Sequence, residues 1–167
     1  MNTFIETLAQ AQRSAVHLEM RDSYMLDDPG FLAWQRGEQE DPLERWQPWV
    51  DLVQTAIARG VTFRRTRIVS EPVSDYIRWE HEVTAMNVAA GERVRWLPRR
   101  RATDLALPGN DFWLFDDSVV LVNHFAGNGQ WSDPDMEVTS DPAVVKLCAS
   151  AFEAVWERAV PHEEYRP

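Results

Sequence analysis

Three arginines, Arg64, Arg65 and Arg67, stand just before the segment Glu71-Pro72-Val73-Ser74-Asp75-Tyr76. A strand end that delivers guanidinium groups, followed by a serine-capped helix N-terminus with free N–H groups, has the parts of an anion pocket. Glu71 and Asp75 lie within the same stretch, so the arginines either pair with them or await a ligand. The candidate ligand contacts here are Arg65, Arg67, Glu71, Ser74, Asp75 and Tyr76.

A second group is acidic. Asp116 and Asp117 could hold Mg²⁺ as paired carboxylates if further oxygen ligands, such as Asp111 or Glu19, were brought close. The same dipeptide suits a tight β-turn for local reasons alone. His124, next to Asn123, is the best-placed general base among four scattered histidines, or else an ordinary hydrogen-bonded one. His17, His81, His124 and His162 contain no i, i+4 pair, and the single Cys148 supplies no thiolate partner, so the spacing of a zinc site is missing. No Gly-rich phosphate loop, nucleophile elbow or Ser-His-Asp order occurs. Neither Ser70 nor Ser74 has a base adjacent in sequence. On these grounds no catalytic residue is assigned, and no metal or cofactor is expected.

These side chains need elements to place them. Phe4, Leu8 and Ala11 share one face of a helix over 3–14. Residues 16–25 alternate as a strand, with His17, Glu19 and Arg21 opposite Val16, Leu18 and Met20. Residues 26–42 read as a loop with one helical turn. Apolar residues recur at three and four from Leu43 to Arg59, predicting a helix stopped by Gly60. Residues 61–70 alternate again and place Phe63, Arg65 and Arg67 on one face. Ser74 caps a helix over 75–90 on which His81 faces solvent, and 93–97 is a short strand. DFWLFD and SVVLVNHF form a hairpin around Asp116-Asp117, and Gly127, Gly129 and Pro134 mark a loop. Asp141 and Pro142 open a last helix that turns Cys148 inward. The order α-β-α-β-α-β-β-β-α predicts a single α/β domain with a mixed sheet flanked by helices.

The 167 residues carry 17 Lys+Arg against 27 Asp+Glu, a formal charge of −10, and 44% are hydrophobic. That length predicts one domain with a real core. No apolar run approaches the ~20 residues of a membrane span, and the N-terminus lacks the form of a secretory signal, so a cytoplasmic protein is expected. Sixteen of the 17 basic residues are arginine; residues 59–101 total +5 and the remainder −15. Such acidity argues against direct nucleic-acid binding, which draws on clustered Lys and Arg. The basic middle either meets an anionic ligand or is neutralised by its own flanks. Of eight tryptophans, Trp79 and Trp131 are the two expected at the surface.

From residue 43 onward the order resembles one half of a phospholipase D-like domain: a helix, then Arg59-Gly60-Val61, a strand, helix, strand, and a hairpin around an aspartate. That division leaves 1–42 as an N-terminal helix, strand and loop. In the active family the hairpin carries His-x-Lys, four residues, then Asp. With Asp116 as that aspartate, Gly109 and Asp111 stand at the histidine and lysine positions; with Asp117, Asn110 and Phe112 do. Either register lacks the nucleophile and the phosphate-binding lysine.

The segments RIVSEPVSDYIRWE (67–80), NVAAGERVRWLP (87–98), DFWLFDD (111–117) and AFEAVW (151–156) resemble an uncharacterised family of small actinobacterial proteins common in Streptomyces, a domain of unknown function. Genes of that family often neighbour helix-turn-helix regulators. The resemblance implies a non-catalytic regulatory or ligand-sensing module, accessory to such a regulator and taking a small anionic ligand. A phospholipase D-like fold is normally built from two halves, which implies a homodimer. The other reading is a cryptic metal-assisted hydrolase of a phosphate-containing substrate using Asp116, Asp117 and His124.

Overall fold

Alternation along the strands sets the architecture. In the computed structural model, which describes residues 2–38 and 41–167, β1 (Ser14–Glu19) lies parallel to β2 (Thr62–Val69), and β2 parallel to β3 (Arg93–Pro98). On the other side of β1 run β4 (Phe112–Phe115), β5 (Val119–Phe125) and β6 (Trp131–Thr139), all antiparallel. A two-residue β7 (Val160–Pro161) completes a seven-stranded mixed sheet of order β6-β5-β4-β1-β2-β3-β7. The α/β class and the mixed sheet follow the sequence reading. β1, from the first 42 residues, sits at the centre of the sheet.

The two faces are chemically different. Val16, Leu18, Ile68, Leu97, Phe112 and Leu114 point to one side, where Cys148, Phe152 and Val155 of α6 (Pro142–Arg158) cover them. Asp141 caps this helix as expected, accepting from Ala143 N (2.8 Å) and Val144 N (3.3 Å). The opposite face carries Ala15, Phe63, Trp113, Phe115 and Leu121 beneath α1 (Asn2–Gln10), α3 (Pro42–Ala58) and α5 (Ala85–Ala90). Farther along the same strands, Val69 and Trp96 pack under α2 (Pro29–Gln35) and α4 (Asp75–Val83) with Phe31, Tyr76, Ile77 and Trp79. Among the described residues no helix is long and apolar enough to cross a membrane.

Four expectations change. The helix predicted over 75–90 is two helices, because the Thr84 hydroxyl bonds back to the Glu80 carbonyl (2.6 Å), a contact that bends helices. The loop around Pro134 is partly β6, a polar edge strand, the place in a sheet that tolerates proline. Trp79 is buried, its outer face covered by α2, whereas Trp131 is exposed. His81 does not simply face solvent; its ring centroid lies 4.5 Å from that of His162 and 5.3 Å from that of Trp96.

That histidine pair ties the C-terminal segment to the sheet. Trp96 Nε1–H donates to His162 Nδ1 (3.1 Å), which requires the unprotonated nitrogen. Burial, with His81 and Arg67 nearby, pushes the His162 ring down to about 4. The unfolded chain takes up this proton near 6.5, so the unfolded state binds more protons between the two values. Stability therefore rises with pH across that window and is lost on acidification. Urea denaturation should show a lower midpoint at pH 4.5 than at pH 6.5. In His162→Gln, which keeps an acceptor for Trp96, that difference should shrink by on the order of 1 kcal/mol after discounting for partial solvent access.

Candidate functional site

Arg65 and Arg67 have no carboxylate on their own strand β2, so neighbouring elements must supply one. Parallel pairing sets His17 beside Arg65 and Glu19 beside Arg67. Glu19 takes Arg65 Nη1–H on one oxygen (3.0 Å) and Arg67 Nε–H on the other (2.5 Å). Arg65 Nε–H also donates to Glu92 (2.9 Å), whose second oxygen accepts from Asn87 Nδ2 (2.6 Å) and Trp49 Nε1 (2.7 Å). Arg67 Nη1–H reaches the Thr84 hydroxyl (2.5 Å) at the break between α4 and α5. His17 donates Nδ1–H to the Phe112 carbonyl (2.8 Å) and turns Nε2 to within 3.2 Å of Glu19. Side-chain exposure of Arg65 and Arg67 is only 8% and 6%, so these are buried ion pairs.

Above this ionic floor lies a cavity of about 280 Å³. Its walls are aromatic: Trp46, Trp49, Trp79, Trp113, Tyr24 and Tyr76 among others, with Phe125 and Trp131 toward β5 and β6. Some rings are already engaged. Arg65 lies over Trp49 (5.6 Å) and Trp113 (5.3 Å), and His17 stacks on Trp113 at 4.2 Å. At the far side Asp111 accepts the Tyr24 hydroxyl and Met20 N–H (2.9 Å).

Electrostatics divides the carboxyls. Burial alone would raise Glu19, but the guanidinium groups of Arg67 and Arg65, with His17, hold it well below the usual carboxylate range. Burial dominates at Glu80 and pushes it up to about 7; Arg67 and Arg65 offset only part of that, and Glu19 and Asp111 add to it. Glu80 lies 3.3 Å from Arg67 Nε, yet that N–H is aimed at Glu19, leaving Glu80 Oε2 buried with no hydrogen bond. Asn123 Oδ1 is likewise buried without a partner. Burial also raises Asp111 and the phenols of Tyr24 and Tyr76.

Of the residues singled out from sequence, Arg65, Arg67, Tyr76 and Asp111 line this cavity together. The arginines are ion-paired, but with Glu19, Glu80 and Glu92 in place of Glu71 and Asp75. Glu71 instead accepts the Tyr165 hydroxyl (3.1 Å) and pairs with Arg100 (3.1 Å). Ser74 caps α4 through Ile77 N (3.2 Å), and Asp75 pairs with exposed Arg78. Asp116 occupies the β4–β5 turn, where it and Asp117 have φ of 52° and 54°; its carboxylate accepts the N–H groups of Gln12, Arg13 and Ser14, each at 2.8 Å. His124 stands near the far end of β5, about 20 Å from that turn at ~3.3 Å per residue, beside Glu137 (3.4 Å). The arrangement Asp116–Asp117–His124 therefore does not assemble, and among the described residues no three His, Cys, Asp or Glu side chains form a metal-holding group. The arginine reading missed Glu80, Glu92, His17 and Asn123. One signal was present: His17 and Glu19 alternate on the same strand face as buried Ala15.

Comparison with known proteins places this geometry. The phospholipase D family member Nuc from Salmonella typhimurium is similar, with TM-score 0.52 and 11% identity over 99% of this chain and 90% of Nuc. TrmBL2, an archaeal chromatin protein with a novel mode of DNA binding, is similar at TM-score 0.49 and 15% identity over 95% of this chain, which spans about half (49%) of TrmBL2. At such identities the likeness to Nuc establishes a phospholipase D-like fold and nothing about activity. No protein of curated function matches the sequence. A family model does, over residues 2–167, and the chain belongs to the family described as Domain of unknown function (DUF6879).

Proposed function

We propose that this protein is a non-catalytic ligand-sensing module whose cavity takes a small organic molecule and reports occupancy to a partner, a cytoplasmic helix-turn-helix regulator. The observation that carries the reading is the cavity: an aromatic chamber over a floor whose guanidinium groups are already satisfied. Such a chamber, apolar with a few convergent polar groups, is the usual form of a small-molecule site. The hydroxyls in its lining are phenols pushed upward in pKa, Tyr24 even though it bonds Asp111, and His17 is committed to Phe112 and Glu19.

Five of the eight tryptophans line the cavity, so occupancy reads directly as a change in intrinsic fluorescence. Small-molecule extract from the source cells should shift that emission and raise the melting temperature by several degrees. In Val83→Trp, whose added ring fills the chamber from α4, both responses should be lost while the protein stays folded. The tagged protein should capture a helix-turn-helix partner in amounts that change when extract is added. A folded wild type with no fluorescence response, no thermal shift and no partner would overturn the reading.

A further inference from the structure

Two buried acceptors with nothing to accept stand in the wall of one aromatic cavity, Glu80 Oε2 on α4 and Asn123 Oδ1 on β5. Glu80 is 7% exposed and Asn123 6%. An unmet buried acceptor costs roughly 1–3 kcal/mol, more if charged, and is the usual mark of a missing donor. Arg67 is within 3.3 Å of Glu80 Oε2 but makes no hydrogen bond to it, its Nε–H being aimed at Glu19 and its Nη1–H at Thr84. Charge points the same way. Five carboxyls border or underlie the chamber (Glu19, Asp28, Glu80, Glu92, Asp111) against the guanidinium groups of Arg65 and Arg67, that of Arg45 paired with Asp28, and His17. Since each arginine is already bound by at least one carboxylate, an anion entering here would meet excess negative charge. Tyr24, Tyr76 and Trp79 bring electron-rich rings to the same space, surroundings that favour a cation.

We infer that the cavity's ligand is a protonated organic amine with a flat or apolar body, its ammonium N–H groups bonded to Glu80 and a second donor bonded to Asn123. This rests on the ligand-sensing reading above and specifies its chemistry. The ammonium supplies a counter-charge for the ionised form of Glu80, which burial disfavours. At about 280 Å³ the chamber falls just below the ~300–1,000 Å³ usual for ligand pockets, which suits a single-ring or bicyclic amine.

Isothermal titration at pH 8 with three probes of one shape tests this: phenethylamine, 2-phenylethanol and phenylacetate. The amine should bind at least tenfold more tightly than the alcohol, and the acid more weakly than either. Glu80→Gln, near-isosteric and still folded by its melting temperature, should cut amine affinity at least thirtyfold and leave the alcohol unchanged. Asn123→Ala should preserve the preference for the amine over the acid. Equal affinity for amine and alcohol, or a preference for phenylacetate, would overturn the amine assignment and leave the ligand site standing. If none of the probes binds and cell extract evokes no response either, both proposals fail together.

Discussion

Glu19→Gln should destabilise the protein by about 3–5 kcal/mol, the cost of removing one partner from a buried ion pair. Glutamine keeps the shape but loses the charge and one of the two acceptor oxygens, so Arg65 and Arg67 both lose an anionic partner and one of them loses its hydrogen bond. Arg65 retains Glu92, while Arg67 is left with the Thr84 hydroxyl and, at 3.3 Å, the Glu80 carboxyl, whose charged form burial disfavours. Domains of this kind are stable by roughly 5–15 kcal/mol, so the loss is a substantial fraction of the whole. Urea denaturation at pH 7 measures it. The sign in pH follows from the lowered Glu19 carboxyl: its contribution is present above about 4.5, the unfolded value, and disappears as pH falls below that toward the folded one. Wild type and variant should therefore converge in acid. A variant within 1 kcal/mol of wild type at pH 7 would show that the arginines find other partners, and that the floor of the cavity is remade more easily than its geometry implies.

Asp116→Ala should cost about 2–4 kcal/mol, although the residue lies in a surface turn. Three backbone N–H groups from the α1–β1 junction converge on its carboxylate across more than a hundred residues of sequence. Burial raises this carboxyl, and the N–H groups of Gln12, Ser14 and Arg13 more than offset it, so its pKa ends below the ordinary value. Hydrogen bonds to a charged group contribute ~1.5–3 kcal/mol each when buried, and partial solvent access reduces the sum. Because the carboxyl is held low, the contribution persists above pH ~4 and fades below it. An aspartate serving as an exchangeable metal ligand could be replaced with little loss of fold; this one joins the hairpin to the start of the central strand. Thermal denaturation of Asp116→Ala, beside an Asp117→Ala control with no such contacts, separates the two roles.

What could be read from the chain depended on how far apart the interacting residues lie. The faces of β1 and β2 were legible because alternation is local: Phe63, Arg65 and Arg67 do share a side. The caps of α4 and α6, Ser74 and Asp141, were legible for the same reason. The partners of the arginines were not. Glu71 and Asp75 are near in sequence, whereas Glu19 is 46 positions from Arg65 and meets it only through the parallel register. Trp79 looked exposed because α4 carries polar residues around it; the tertiary cover supplied by Phe31 leaves no trace in that local pattern. β6 was obscured by the polarity that suits an edge strand. The phospholipase D-like order was recoverable from element succession, and the cavity was not, since its walls come from segments spread from Phe4 to Met136.

The parallel pairing of β1 with β2 also bears on how the chain finds its fold. Hairpins inherit their alignment from the turn, but these two strands are linked through α2 and α3, and no turn sets their offset. A slip of one residue would swing Arg65 and Arg67 to the side of Leu18, Leu114 and Phe152, away from Glu19, Glu80 and Glu92. A slip of two would keep the side but carry Arg67 or Arg65 past Glu19. Only the observed offset lets one glutamate satisfy both guanidinium groups. The charged floor thus acts as a proofreading lock during assembly, rejecting misaligned sheets that an all-apolar pair of strands would tolerate.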